Sequence, residues 1–388
     1  MADYFIGRGK PSRRAYGFDE IALVPGSSTL DLELCDVSFR LGSYDLAIPI
    51  LASAMDSVVD VALAGLLGRL GGLAVLNLQG LQTRYADTSG VYDQLVSCDN
   101  SSFVELMQKL YASPVKEELI ARRIEEIKRQ GVIVAASVTP NMAEKYGPCA
   151  VEAGCNIVVV QSTVTGLEHR SKSGNAQLHL ANFCRTIGVP VVVGNCVTYD
   201  TAFQLMETGV AAILVGVGPG AACTSRSVLG IGVPMATAIA DCAAAAKEVK
   251  TRNGKPPAVI ADGGMVVAGD ICKAIACGAD AVMIGSPLAR AREAPGRGFH
   301  WGMATPSPVL PRGTRIKVGT AGTLEEIIFG PARTDDGTQN LVGALKTSMS
   351  TLGASSLPEL QQVEVVIAPS IISEGKVFQH AQHLGMGR

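Results

Sequence analysis

The chemistry-bearing stretch of this chain is GVGPGAACTSR, residues 216–226, where glycines and a proline surround a single cysteine directly after the apolar run AAILV. Gly216, Gly218 and Gly220 permit backbone turns closed to other residues and aim several N–H and C=O groups at one small volume. Backbone dipoles there would favour the thiolate of Cys223, the form that attacks electrophilic carbon. Taken alone, the stretch fits equally well a glycine-rich turn with a small buried cysteine.

The elements that must position this loop are short apolar runs, each followed by a loop and a helical pattern. Eight can be read: AIPILAS, GLAVLN, VIVAASV, NIVVVQ, VPVVVGN, AAILVG, PAVIAD and AVMIGS. Continuous apolar strands alternating with amphipathic helices predict a parallel sheet covered by helices, and eight units predict closure into a (β/α)8 TIM barrel. The alternative is an open doubly wound sheet, but GxGxxG after the first strand is missing. Barrel chemistry sits on the loops that follow the strands. The candidates are therefore Ser53-Ala54-Met55-Asp56 after the first run, Asn77-Leu78-Gln79-Gly80 after the second and Gln161-Ser162-Thr163 after the fourth. Asn195 closes the fifth run, Asp262-Gly263-Gly264 the seventh and Gly285-Ser286 the eighth. Glycine loops after strands seven and eight can cradle a phosphate through backbone N–H groups, and a carboxylate beside them can accept from a ribose diol. Each also has a plain reading: residues 54–59 as a helix start, Asn195 as a turn residue.

The chain has 388 residues, 47% of them hydrophobic, enough for one barrel of about 250 residues with additions. A single catalytic domain over 1–388 is expected, with an insertion at about 79–130, a mobile lid at about 290–320 and a C-terminal tail at about 367–388. Within these, ELIARRIEEIKRQ reads as a barrel helix, 338–352 as a helix and EVVIA as a last strand. A net charge of −2 with scattered basic residues argues against nucleic acid, and no apolar run is long enough to span a membrane. MADYFIGRGKPSRR has no apolar stretch behind its charges, so a soluble cytoplasmic protein is expected. Ten cysteines without a CxxC pair or zinc spacing read as reduced thiols. His169, His179, His300, His380 and His383 are isolated and read as surface or packing residues, His300 standing apart for its neighbours.

GVGPGAACTSR followed by GIGVP resembles the active-site loop of the IMP dehydrogenase and GMP reductase family, whose pattern is approximately GIGPGSxCTTR and then GxGxP. Ser53 to Asp56 is similar to the family's SPMD segment, Gly194-Asn195 to its GN, and His300-Trp301-Gly302-Met303-Ala304-Thr305 to its YRGMGS or FYGMSS. With the DGG and GS loops, the resemblance runs from about Phe18 to Val366. It implies Cys223 as the nucleophile on C2 of a purine nucleotide and Ser225, where the family has threonine, in a proton relay. It further implies substrate contacts at Ser53, Met55, Asn195 and Gly220, the ribose on Asp262, and the phosphate at Gly263, Gly264, Gly285 and Ser286. Gly302, Met303 and Ala304 would read the purine edge, Gln161, Ser162 and Thr163 would lie by the dinucleotide, and carbonyls of Gly218, Gly220 and Cys223 would hold potassium. Tetramers or octamers are the family's assemblies.

The family's dehydrogenase activates water with an arginine–tyrosine pair on its lid, and full-length members insert a pair of CBS modules. Here no tyrosine follows Tyr199, and the insertion is too short for such a pair. The resemblance therefore implies an NADPH-dependent GMP reductase giving IMP and ammonia. The alternatives are an IMP dehydrogenase using NAD, a silent nucleotide-binding regulatory protein and a flavin-dependent barrel oxidoreductase. Departures from the family are Asn77 for histidine, Gln161 for aspartate, Ala221 for serine, Leu214 for a basic residue and Arg312 for the lid glutamate, for which Glu293, Glu325 or Glu326 are the replacements within reach of the sequence.

Overall fold

Eight parallel strands close into a barrel in the computed structural model, which describes residues 4–168, 178–249, 256–370 and 374–385. They are β1 (Ile50–Ala52), β2 (Leu73–Asn77), β3 (Ala135–Val138) and β4 (Ile157–Gln161), then β5 (Val191–Cys196), β6 (Ala212–Val215), β7 (Ala258–Asp262) and β8 (Ala281–Ile284). Seven fall within the apolar runs, and β5 runs one residue past its own, to Cys196. Neighbours in sequence pair, and β8 closes on β1 through Val282–Ile50, Met283–Leu51 and Ile284–Ala52. Helices cover the outside and side chains fill the inside, so both faces of each strand are apolar. The register sets Gly194 against both Gln161 and Leu214, and Asp262 against Met283, which brings the strand ends to one mouth.

The first helix, α1 (Val61–Arg69), begins later than a helix start at 54–59 would have it. Asp60 caps it by accepting from the Leu63 amide at 2.8 Å, while 54–59 turn back on themselves through Val58 and Val59 amides donated to the Met55 carbonyl.

Between β2 and β3 lie α2 (Ser89–Ser97), α3 (Phe103–Tyr111) and α4 (Glu117–Lys128). The last is the helix read from ELIARRIEEIKRQ: Leu119, Ile120, Ile124 and Ile127 are buried, and Arg122–Glu126 and Glu125–Arg129 pair one turn apart outside. The other two build a second, smaller core, in which Val91, Leu95, Phe103 and Met107 close around Trp301.

Trp301 belongs to the segment read as a lid, 290–320, whose two arms are paired and packed. Strand β9 (Phe299–Trp301) pairs antiparallel with β10 (Arg315–Lys317), and Trp301 is fully buried. The Arg315 guanidinium lies 4.9 Å from the Phe103 ring and 4.6 Å from that of Phe299. It also donates to the Cys98 carbonyl and to Asn100, both at 2.7 Å. Burial of an indole and a stacked guanidinium holds both arms of the lid on the insertion, and 302–314 spans between them.

The helix read over 338–352 covers Leu341–Leu352, beginning after Asn340, which takes a left-handed conformation and caps it by accepting from the Gly343 amide at 3.1 Å. Strand Val365–Ile367 pairs antiparallel with Ile21–Leu23. All ten cysteines are unpaired thiols. Among the described residues no helix is long and apolar enough to cross a membrane, and His169 lies outside them.

Candidate active site

The loop leaving β6 crosses the end of β7 so closely that a Cβ on Gly216 would stand 2.2 Å from the Asp262 carbonyl oxygen, so the residue must be glycine. Beyond it the Cys223 amide donates to the Gly220 carbonyl at 2.9 Å, closing a turn that presents the half-buried thiol. The Cys223 Sγ donates to Ser225 Oγ at 3.2 Å, and Ser225, 1% exposed, opens a short helix, Ser225–Leu229. The lid holds the other side of the turn: Cys223 bridges Gly313, the Thr314 amide donates to the Ala222 carbonyl at 3.1 Å, and the Thr224 amide to that of Arg312 at 3.3 Å. The thiol is thus clasped between the glycine loop and the lid.

A cavity of about 630 Å³ covers the barrel mouth in front of it. Its floor is a polar triad. Asn195 Nδ2 donates to Asp262 Oδ2 at 2.7 Å and to the Gly216 carbonyl at 2.8 Å. Gln161 Nε2 donates to the same Asp262 oxygen at 2.9 Å and to Asn195 Oδ1 at 3.1 Å. Burial pushes the Asp262 carboxyl up to about 6, and the hydrogen bonds from Asn195 and Gln161 work against that shift. This changes what Gln161 can do by a cofactor: both its donors are spent on the floor, leaving only its carbonyl to offer. Ser162 and Thr163 line the cavity beside it.

The other residues singled out from the sequence meet around the same space. Ser53 and Met55 come from the β1 end, Gly263 and Gly264 follow Asp262, and Gly285 and Ser286 follow β8. Gly302, Met303 and Ala304 enter from the lid, with Met303 Sδ accepting from Asn77 Nδ2 at 3.2 Å. Gly218 and Gly220 also line it. Among the described residues no donor reaches the Gly218 or Cys223 carbonyl, whereas Gly220's takes the Cys223 amide. Two free carbonyls and one shared suit a hard cation such as potassium. No cluster of His, Cys, Asp or Glu among the described residues is arranged for a metal.

Arg84 and Tyr111 escaped the sequence reading, and His300 and Asp56, both named there, take places it did not give them. His300, 3% exposed, is not a surface residue: it lines the cavity and packs so tightly on Gly285 that a Cβ there would come within 3.0 Å of its ring. Its Nδ1 is 3.2 Å from Ser57 Oγ, and burial lowers it to about 4, so it is neutral at pH 7. Asp56, 1% exposed, accepts from the Leu81 amide at 3.1 Å and from the hydroxyl of Tyr111. Burial pushes it up to about 6 against the pull of those two bonds and of Arg84. Tyr111 and Arg84 line the cavity, with the guanidinium 5.4 Å from the ring centroid. The insertion contributes both. No motif in the sequence marks either of them. The charged lining side chains are Arg84, Arg312 and Asp262, a balance that favours anionic ligands.

The profile of the IMP dehydrogenase / GMP reductase domain matches residues 15–305. An uncharacterized oxidoreductase of Mycobacterium leprae is 40% identical over 372 residues, covering 94% of this chain and 99% of that protein. An inosine-5′-monophosphate dehydrogenase of Cryptosporidium parvum is 29% identical over 394 residues, covering 88% and 89%. The crystal structure of an IMP dehydrogenase/GMP reductase-like protein from Corynebacterium glutamicum superposes with a TM-score of 0.89 at 34% identity, covering 94% of this chain and 97% of that one. A profile that spans the whole barrel and the first arm of the lid, together with a cysteine loop, a DGG loop and a GS loop facing one cavity, shows that the chain belongs to the IMP dehydrogenase / GMP reductase family of oxidoreductases.

Proposed function

We propose that the chain is a GMP reductase, converting GMP to IMP and ammonia with NADPH through a thioether between Cys223 and purine C2. The thiolate adds to C2, the protonated amine leaves as ammonia, C2 accepts a hydride and the thiolate is then expelled. NADPH supplies that hydride. Ser225 carries the proton between the thiol and the leaving amine, Asp262 accepts from the ribose diol, and the glycines at 263, 264 and 285 with Ser286 take the phosphate. Gly302 and Met303 hold the purine edge, and Ser162 and Thr163 lie by the dinucleotide. The reading includes potassium on the cysteine-loop carbonyls and a cytoplasmic homotetramer or octamer, both by likeness to the family.

The observation that carries it is the 3.2 Å contact between Cys223 Sγ and Ser225 Oγ, with no carboxylate or tyrosine hydroxyl bonded to either among the described residues. A hydroxyl relay serves amine departure, whereas hydrolysis of the thioether needs a base for water, and the Tyr111 hydroxyl is committed to Asp56. Product analysis tests this: GMP with NADPH should yield IMP and ammonia, and a purified protein silent on that mixture would overturn it.

A second reading, IMP dehydrogenase forming XMP with NAD, is favoured by one observation. Arg84 and Tyr111 stand side by side in the cavity wall although the lid carries no tyrosine, and Arg312 occupies the place of the lid glutamate. XMP from IMP with NAD would establish it.

A further inference from the structure

The cavity has two differently equipped ends. One holds the thiol, the glycine loops, His300 and Asp262, a complete set for one nucleotide. The other is built by Asn77, Gln79, Arg84, Tyr111 and Thr139, and nothing above assigns it a ligand.

Its groups are rigidly set. Arg84 Nε donates to the Gln79 carbonyl at 3.1 Å, and Nη1 donates to the Ser113 carbonyl. Nη2 has no protein acceptor among the described residues, so the charge is held at the wall with one donor arm left for a ligand. Tyr111 is fixed at both ends of its side chain: α3 packs on Trp301, and the hydroxyl donates to buried Asp56. Gln79 Oε1 is committed to the amide and the hydroxyl of Thr139, both at 2.8 Å. The Met303 contact with Asn77 brings the lid to this end as well.

A fixed guanidinium beside an aromatic ring recognises a phosphate attached to a flat heterocycle: the guanidinium takes phosphate oxygens, and the ring supplies a stacking surface. The geometry points to Arg84 and Tyr111 as the subsite for the phosphate-bearing adenosine half of a nicotinamide dinucleotide, built by the insertion rather than by the barrel loops. The assignment rests on the reading that the cavity takes a dinucleotide beside a purine mononucleotide. It gives the insertion a role in ligand binding as well as in anchoring the lid.

Calorimetric titration of Arg84→Met and Tyr111→Leu with NADPH, NADH and GMP separately tests it. Each variant is expected to weaken NADPH by about tenfold or more while GMP stays within about twofold of wild type. Loss confined to NADPH would place the 2′-phosphate on Arg84, and equal loss of NADH would place the diphosphate there; both support the subsite. Unchanged NADPH affinity, or a fall in kcat with dinucleotide affinity intact, overturns it, the latter making the pair a water-activating one. Hydrogen exchange on the wild-type protein covers the case of variants that do not fold. NADPH should protect residues 79–86 and 108–114 where GMP alone does not, and protection elsewhere only would overturn the assignment. Wild-type protein that binds GMP but no dinucleotide would sink the functional reading itself, a result distinct from variants that bind NADPH normally.

Discussion

The Cys223 thiol donates to the Ser225 hydroxyl at 3.2 Å, across a turn whose other wall is the lid at Gly313. The two side chains are two residues apart, yet a glycine turn shapes one and the first residue of a helix positions the other. Both side chains are therefore set by backbone that lies outside the barrel strands.

Cys223→Ala is expected to lower kcat by about 10³-fold or more while the nucleotide dissociation constant stays within about threefold, since the proposed phosphate and ribose contacts are on other loops. Product assays with calorimetry on the same preparation check this. Turnover that survives the substitution would end the covalent mechanism.

Ser225→Ala should reduce kcat by about 10²-fold with little change in KM, and Ser225→Thr should restore most of it, because only the hydroxyl is needed. Steady-state kinetics on the two variants decide the matter. A KM effect shared by both would instead make Ser225 a packing residue.

Asp262 sits at about 6, above the ordinary carboxylate value of about 4. Its ionised form is the better acceptor for a ribose diol, so kcat/KM for the nucleotide should fall with decreasing pH below about 6. For folding the sign runs the other way. Asp56, also at about 6, keeps its proton in the folded chain at pH values where the unfolded chain has lost it. Its contribution to stability is therefore present below pH about 4 and lost as pH rises to about 6. Urea denaturation across that range should show a decline that Asp56→Asn flattens.

Trp301→Ala removes the centre of the smaller core and should destabilise the fold by about 3–5 kcal/mol. The same change frees the lid arm that borders Cys223, so turnover should fall even where the protein remains folded. Denaturant midpoints and kcat measured together separate the two effects.

Replacing potassium with a large organic cation should slow turnover several-fold, if the free carbonyls of Gly218 and Cys223 hold the ion. Equal rates in the two salts would remove the cation from the mechanism.

The barrel was legible in the sequence because its signal is local: each strand is a continuous apolar run, and each reactive loop announces itself by glycine next to a residue type with chemistry. Cys223, Asp262 and Gly285 could be placed in that way without knowing what faced them. Partnerships between distant residues were not legible. Asp56 and Tyr111 are separated by 55 positions, and Ser57 and His300 by 243, with no periodicity linking them. Tyr111 lies in the insertion, where no motif marks it, and it reaches the cavity because α3 docks on Trp301. Nor was it legible that the Gln161 amide donates to Asp262, 101 positions away, where the β4 and β7 strand ends meet at the barrel mouth. Strand period and glycine turns depend on neighbours along the chain, whereas the charge, burial and bonding of a side chain depend on what the closed barrel sets against it, and that only the tertiary structure decided.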